Sequence, residues 1–212
     1  MKKIIISAVA AFGLLFTLSG TVSAQTGVRF GIKAGGSLNF SKINYGNLSV
    51  NGDSRFGFFG GGLMEISPNY PENKFKLQLE ALYSRVNMQY GISGDQTGTV
   101  QLNVNQINIP LLAKYFILPE LSINLGPTFN FNLNGKGTLK DETGNITAEE
   151  DLDDYNTFQI GLAAGASYYI CEGLFIDARY TPIFGSLNKS GEGLDAAGMK
   201  MSAIKVGIGY KF

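Results

Sequence analysis

From residue 28 onward the chain repeats one pattern, with apolar side chains at every second position and polar or small ones between. Over 28–40 the even positions are Val28, Phe30, Ile32, Ala34, Gly36, Leu38 and Phe40. The odd ones are Arg29, Gly31, Lys33, Gly35, Ser37 and Asn39. Period two puts alternate residues on opposite faces of an extended strand, so such a segment meets two different environments. The pattern returns over 55–66, 75–83, 121–133, 158–170, 174–180 and 204–212. Over 100–117 it begins with Val100, Leu102 and Val104 on the apolar side. It then resumes on the odd positions Ile107, Ile109, Leu111, Ala113 and Tyr115. A one-residue change of parity is what a β-bulge near Asn105 and Gln106 would produce.

These eight stretches predict eight strands. Most reach the roughly 9–11 residues that a tilted strand needs to cross a bilayer. Backbone groups in the hydrocarbon layer have no water to bind, so a sheet there must close on itself. The predicted fold is all-β, an eight-stranded antiparallel up-and-down transmembrane β-barrel. The connections at 67–74, 118–120 and 171–173 are short, and those at 41–54, 91–99, 134–157 and 185–200 are long. Outer-membrane barrels have short periplasmic turns and longer outward loops, so both termini are expected in the periplasm. Aromatic residues near the stretch ends, such as Tyr115, Tyr168 and Tyr210 at one end and Tyr83, Phe131 and Phe158 at the other, suit girdles at the two lipid headgroup layers.

The first residues differ from the rest. Lys2 and Lys3 precede an uncharged apolar run over 4–18, and Val22-Ser23-Ala24 supplies small residues where a signal peptidase reads. This is the layout of a secretory signal peptide, and the run is too short for a membrane-spanning helix. Cleavage is expected between Ala24 and Gln25. The two units are therefore a signal peptide over 1–24 and a barrel domain over 25–212.

Without residues 1–24 the balance is 15 basic against 17 acidic residues, which offers no general attraction to nucleic acid. The single cysteine, Cys171, excludes an intrachain disulfide. The chain has no histidine, which removes the base of Ser-His and Asp-His hydrolases and the usual zinc ligands. No enzyme activity, cofactor or metal is expected. The polar faces of the strands carry Arg29, Lys33, Arg55, Lys114, Arg179 and Lys205 with Glu65, Glu80 and Asp177. A barrel of eight strands is only wide enough for its own side chains. These charges are thus expected to form an ion-pair network filling the lumen, with Glu80 touching one or more of the cations. The acidic residues of the 134–157 loop lack the spacing of a calcium-binding loop and read as a solvated surface.

The chain ends Val206-Gly207-Ile208-Gly209-Tyr210-Lys211-Phe212. A terminal Phe212 with Tyr210 and Ile208 at alternate positions resembles the C-terminal signal read by the barrel-assembly machinery. The segment Ile107-Asn108-Ile109-Pro110-Leu111-Leu112-Ala113-Lys114-Tyr115 resembles the mid-barrel E-I-P-L-L-L-K-Y strand of the PorT-like outer-membrane β-barrel family. Leu125-Gly126-Pro127 is similar to the G-x-G-P that follows it. Asn108 stands where that family often has Glu, and Asn124 replaces a Gly. The resemblance implies a small barrel of the OmpA/OmpX type in a Gram-negative outer membrane. Outer-membrane lipid, the assembly machinery and envelope or secretion-system proteins are the expected partners.

The leading expectation for function is a structural or interaction role in the cell envelope, with a filled lumen and outward loops. The alternatives are a narrow-pore transport or protein-secretion component, and a soluble lipocalin-like ligand-binding barrel whose apolar faces point inward.

Overall fold

The computed structural model describes residues 26–45, 48–68, 74–92, 98–141, 143, 145–151, 157–184 and 198–212. The expected cleavage point at Ala24 and Gln25 lies outside these residues. Among them, ten strands follow one another: β1 (Thr26–Tyr45), β2 (Leu48–Asn51), β3 (Arg55–Pro68), β4 (Phe75–Ile92), β5 (Gly98–Phe116), β6 (Leu121–Asp141), β7 (Ile146–Asp151), β8 (Phe158–Tyr169), β9 (Leu174–Phe184) and β10 (Gly198–Lys211).

Eight of them form the barrel wall. Their order is β1-β3-β4-β5-β6-β8-β9-β10, with every neighbouring pair antiparallel, and β10 pairs back onto β1. The closing seam runs from Gly31↔Lys211 to Asn44↔Gly198, so the wall has no open edge there. The other two strands are short. β2 folds back on the far end of β1, and β7 on the far end of β6. The eight predicted stretches are the eight wall strands. The two extra strands arise because the wall continues past the lipid into its loops. The 21 residues of β6 span about 70 Å at ~3.3 Å each, whereas the hydrocarbon core is about 30 Å thick.

The start of β1 and the end of β10 lie at the end that carries the short turns. There the backbone N–H of Phe212 donates to the carbonyl of Phe30, and that of Lys211 to Gly173. Gly173 adopts φ 83°, a left-handed conformation that a side chain disfavours, and this shapes the turn between β8 and β9.

The side chains sort by parity. Along β10, Ile204, Val206, Ile208 and Tyr210 point out and are 44–57% exposed. Lys205 and Lys211 point in and are almost fully covered. Ile32 and Phe56 are also outward, at 63% and 69% exposure. A water-soluble protein rarely displays so large a continuous apolar surface, so the exposure has the inverse polarity of a lipocalin-like barrel. On the outer face Tyr83, Ile107, Phe131 and Phe158 stand side by side in register across four strands. Phe131 and Phe158 pack with ring centroids 5.1 Å apart.

One expectation fails. Val100, Leu102 and Val104 do not change face on β5. Leu102 and Val104 are buried in the lumen, on the same inward parity as Gln106, Asn108 and Lys114. The register does shift between Asn105 and Gln106, which pair with Asn134 and Asn132. The extra residue is therefore on the partner, at Leu133 of β6. The apparent change of parity on β5 is a change in the chemistry of the lumen, from polar to apolar.

Glycines on the inner face make room for inward aromatics. A Cβ on Gly209 would collide with the Phe175 ring, and one on Gly207 would crowd Phe59. Gly209→Leu is expected to cost about 1–3 kcal/mol through overpacking. The check is a lower urea midpoint for unfolding from lipid vesicles.

Candidate functional site: the barrel interior

The described lumen is filled in layers. Nearest the short-turn end, Glu65 is surrounded by cations. Lys211 donates to its Oε2, Lys114 lies 3.6 Å from the same oxygen, and Lys76 lies 3.5 Å from Oε1. The Tyr169 hydroxyl accepts from Lys211 at 2.5 Å and from Lys114 at 3.2 Å. Phe175, wholly buried beside it, offers its ring to both lysines at 5.0 and 5.5 Å.

The next layer is tighter. Glu80, fully buried, accepts both forks of the Arg179 guanidinium at 2.8 Å. Asp177 accepts from Arg179 Nε at 3.0 Å, from the Ser167 hydroxyl at 2.8 Å and from Lys33 at 2.5 Å. Lys33 also lies 3.7 Å from Glu80. Gln78 joins the two layers, taking a hydrogen bond from Lys114 at 3.2 Å and donating to Glu80. Burying these charges is costly unless each is paired and hydrogen-bonded. The bidentate Arg–carboxylate fork supplies geometry as well as charge.

Above lies a belt of amides. Asn108 donates to Asn130, Gln106 donates to Asn132 at 2.6 Å, and Asn132 donates to Gln159 at 3.2 Å. Lys205 donates to Asn108 Oδ1 at 3.3 Å. Beyond the belt an apolar plug of Val86, Met88, Tyr90, Leu102, Val104 and Met201 fills the lumen toward the loop end.

Of the residues expected in the network, Lys33, Glu65, Glu80, Lys114, Asp177 and Arg179 come together, and Lys205 lies just above them. Arg29 stands at the rim, 3.8 Å from the exposed Glu172. Arg55 is at the far end of β3, where only its backbone carbonyl takes part, accepting from Asn39 at 3.2 Å. Lys211, Lys76, Tyr169 and Gln78 were not among the expected members. Their inward parity was the available signal, because Lys211 shares a face with Lys205 and Tyr169 with Ser167.

Cys171 is exposed in the turn after β8. At the loop end, the Asp141 carboxylate is held below its usual range by hydrogen bonds from the Thr143 hydroxyl at 2.7 Å and the Asn145 N–H at 2.9 Å. It ties the turn of the β6–β7 hairpin. On that hairpin Lys136 meets Glu149 at 2.6 Å in full view of solvent. Such exposed pairs are worth about 0–1 kcal/mol. Glu149→Gln is accordingly expected to leave the urea midpoint almost unchanged.

Residues 23–189 of the 212 match a family described as outer membrane protein beta-barrel domain. The chain belongs to that family. No curated protein sequence matches it significantly. Among solved structures, Neisserial surface protein A is similar over 88% of this chain and 99% of its own, with a TM-score of 0.52 and 14% identity. Ail of Yersinia pestis covers 87% of this chain and 98% of its own at a TM-score of 0.48 and 14% identity. OprG of Pseudomonas aeruginosa covers 91% and 99% at 0.38 and 15%. The family and the fold place this protein in the outer membrane, with its apolar outer surface against lipid.

Proposed function

We propose that this member of the family is a structural or interaction protein of the cell envelope, with a lumen closed to flow and recognition left to the outward loops. The observation that carries this reading is the stacking of the paired-charge layers, the amide belt and the apolar plug across the same bore. A conducting pore needs a continuous wet path, and the plug side chains pack where that path would run. The reading assigns no catalytic step.

The short-turn end, where β1 starts and β10 ends, is read as periplasmic and the β2 and β7 ends as outward, which follows the usual loop asymmetry of such barrels. Ile208, Tyr210 and Phe212, exposed in alternation on the last strand, suit the barrel-assembly signal. The segment over 107–115 supports a PorT-like subfamily, and secretion-system proteins stay among the candidate partners. Cleavage between Ala24 and Gln25 belongs to the same reading, and mass spectrometry of the exported protein tests it.

Reconstitution in planar bilayers tests the closed lumen. The expected record is a baseline without steady conductance steps. A stable open channel at modest voltage would overturn the reading and favour the transport alternative.

A further inference from the structure

Among the described residues, the buried charges of the lumen do not balance. Five cations are at least nine-tenths buried, namely Lys33, Lys114, Arg179, Lys205 and Lys211, against three carboxylates, Glu65, Glu80 and Asp177. Four of the five cations have a carboxylate within 4.0 Å. Among the described residues Lys205 has none. Its polar contact is the Asn108 amide oxygen at 3.3 Å, and the Phe59 ring lies 5.7 Å away, where it also faces Lys33 at 5.6 Å.

Lys205 lines a small cavity at the junction of the amide belt and the apolar plug. Asn39, Gln106 and Thr181 face the same space, which has room for about one water-sized sphere. The surroundings are rich in donors. An ammonium carries three N–H groups, and one is used on Asn108. Outside the lining of this cavity but in the same belt region, the Ser84 hydroxyl, register partner of Gln106, and the Gln159 amide nitrogen are buried without a hydrogen-bond partner. A water molecule in the cavity would accept from the remaining ammonium N–H groups and leave the charge uncompensated. A small anion does both, and a buried cation without a counter-charge is strongly unfavourable.

We propose that the barrel interior binds one small inorganic anion of the halide class, chloride in the envelope, on the Lys205 ammonium between the amide belt and the plug. The ion is trapped as the barrel closes. It is a structural counter-ion, and the site is independent of whether the loops recognise a partner.

The test is to refold the full barrel in sodium bromide and collect anomalous diffraction data. The expected result is one bromide peak within hydrogen-bond reach of Lys205 Nζ in the wild-type protein, absent in Lys205→Met. In parallel, exchanging gluconate for chloride at constant ionic strength should raise the unfolding temperature of the wild type and leave Lys205→Met and Lys205→Gln unmoved. A wild-type interior with no anomalous scatterer at Lys205, with only a water there, would overturn the proposal whether or not the variants fold. A peak that persists in Lys205→Met would overturn it too.

Discussion

Replacing Arg179 with methionine should cost the folded barrel about 3–5 kcal/mol, the scale for removing one partner of a buried ion pair. Glu80 has no exposed surface, and both of its oxygens accept from the guanidinium. Asp177 loses its contacts to Nε and Nη2 in the same step. Lys33 would then be the nearest cation to two carboxylates, at 3.7 Å from one and 2.5 Å from the other. Methionine roughly preserves volume and packs adaptably, so the loss reports charge left unpaired more than a cavity. The double variant Glu80→Leu with Arg179→Met removes both sides of the fork. It should recover much of the stability, because an apolar pair of similar volume is often as good as a buried ion pair. Urea unfolding from lipid vesicles measures all three proteins and closes a double-mutant cycle. Equal stability of Arg179→Met and wild type would mean that the fork is not formed in the membrane-embedded protein.

The second large effect is on the opposite face. Val206→Arg should cost about 2–4 kcal/mol if its site lies near the bilayer midplane. Val206 is 57% exposed, and its neighbours Gly36 and Ala178 are also on the outer surface. Placement near the midplane follows from the strand itself. Outward-facing β10 residues run from Tyr210, opposite Ile32, to Lys200, opposite Lys42. The ten steps between them make about 33 Å of strand, or about 25 Å along the membrane normal at a tilt near 40°, the height of the apolar band in such barrels. Val206 sits close to its middle. The size of the effect identifies the solvent. On a surface facing water, a substitution at a 57% exposed position changes stability by only about 0.5 kcal/mol either way. The same urea series separates the two cases.

How far the fold could be read depends on which environment each face meets. On β10, lipid lies outside and charged side chains inside, so apolar and polar positions alternate and parity gives the faces directly. Near the loop end the lumen is itself apolar. There Val86, Met88 and Tyr90 on β4, and Leu102 and Val104 on β5, face inward, and side-chain polarity no longer distinguishes lipid from a dry plug. For that reason the alternation ends at Tyr83, short of the end of β4 at Ile92, and polarity alone puts Val104 on the wrong face. Continuity of parity from Lys114 through Asn108 to Val104 was the better guide. The bulge was detectable only as a mismatch, and pairing with β6 was needed to put the extra residue at Leu133.

The charge network was legible by composition and face. Its partners were not, because Glu80 and Arg179 are 99 positions apart and meet across the lumen only once the stagger of the closed ring is set. Arg55 carries the right charge on the right parity but stands at the loop end of the wall, away from the cluster, whereas Arg29, register partner of Glu65, lies at the short-turn rim beside Glu65, Lys76 and Tyr169.

The central claim is that the apolar face of each strand looks outward into hydrocarbon and the charged face inward. Its most direct test is a single-cysteine scan of residues 204–209 in a Cys171→Ser background, each site carrying a fluorophore in reconstituted vesicles. A quencher dissolved in the lipid should strongly quench labels at 204, 206 and 208, with little effect from a water-soluble quencher. Labels at 205, 207 and 209 that prevent folding agree with an inward, filled position. Labels at the even positions that respond to the aqueous quencher and ignore the lipid-borne one would contradict the account.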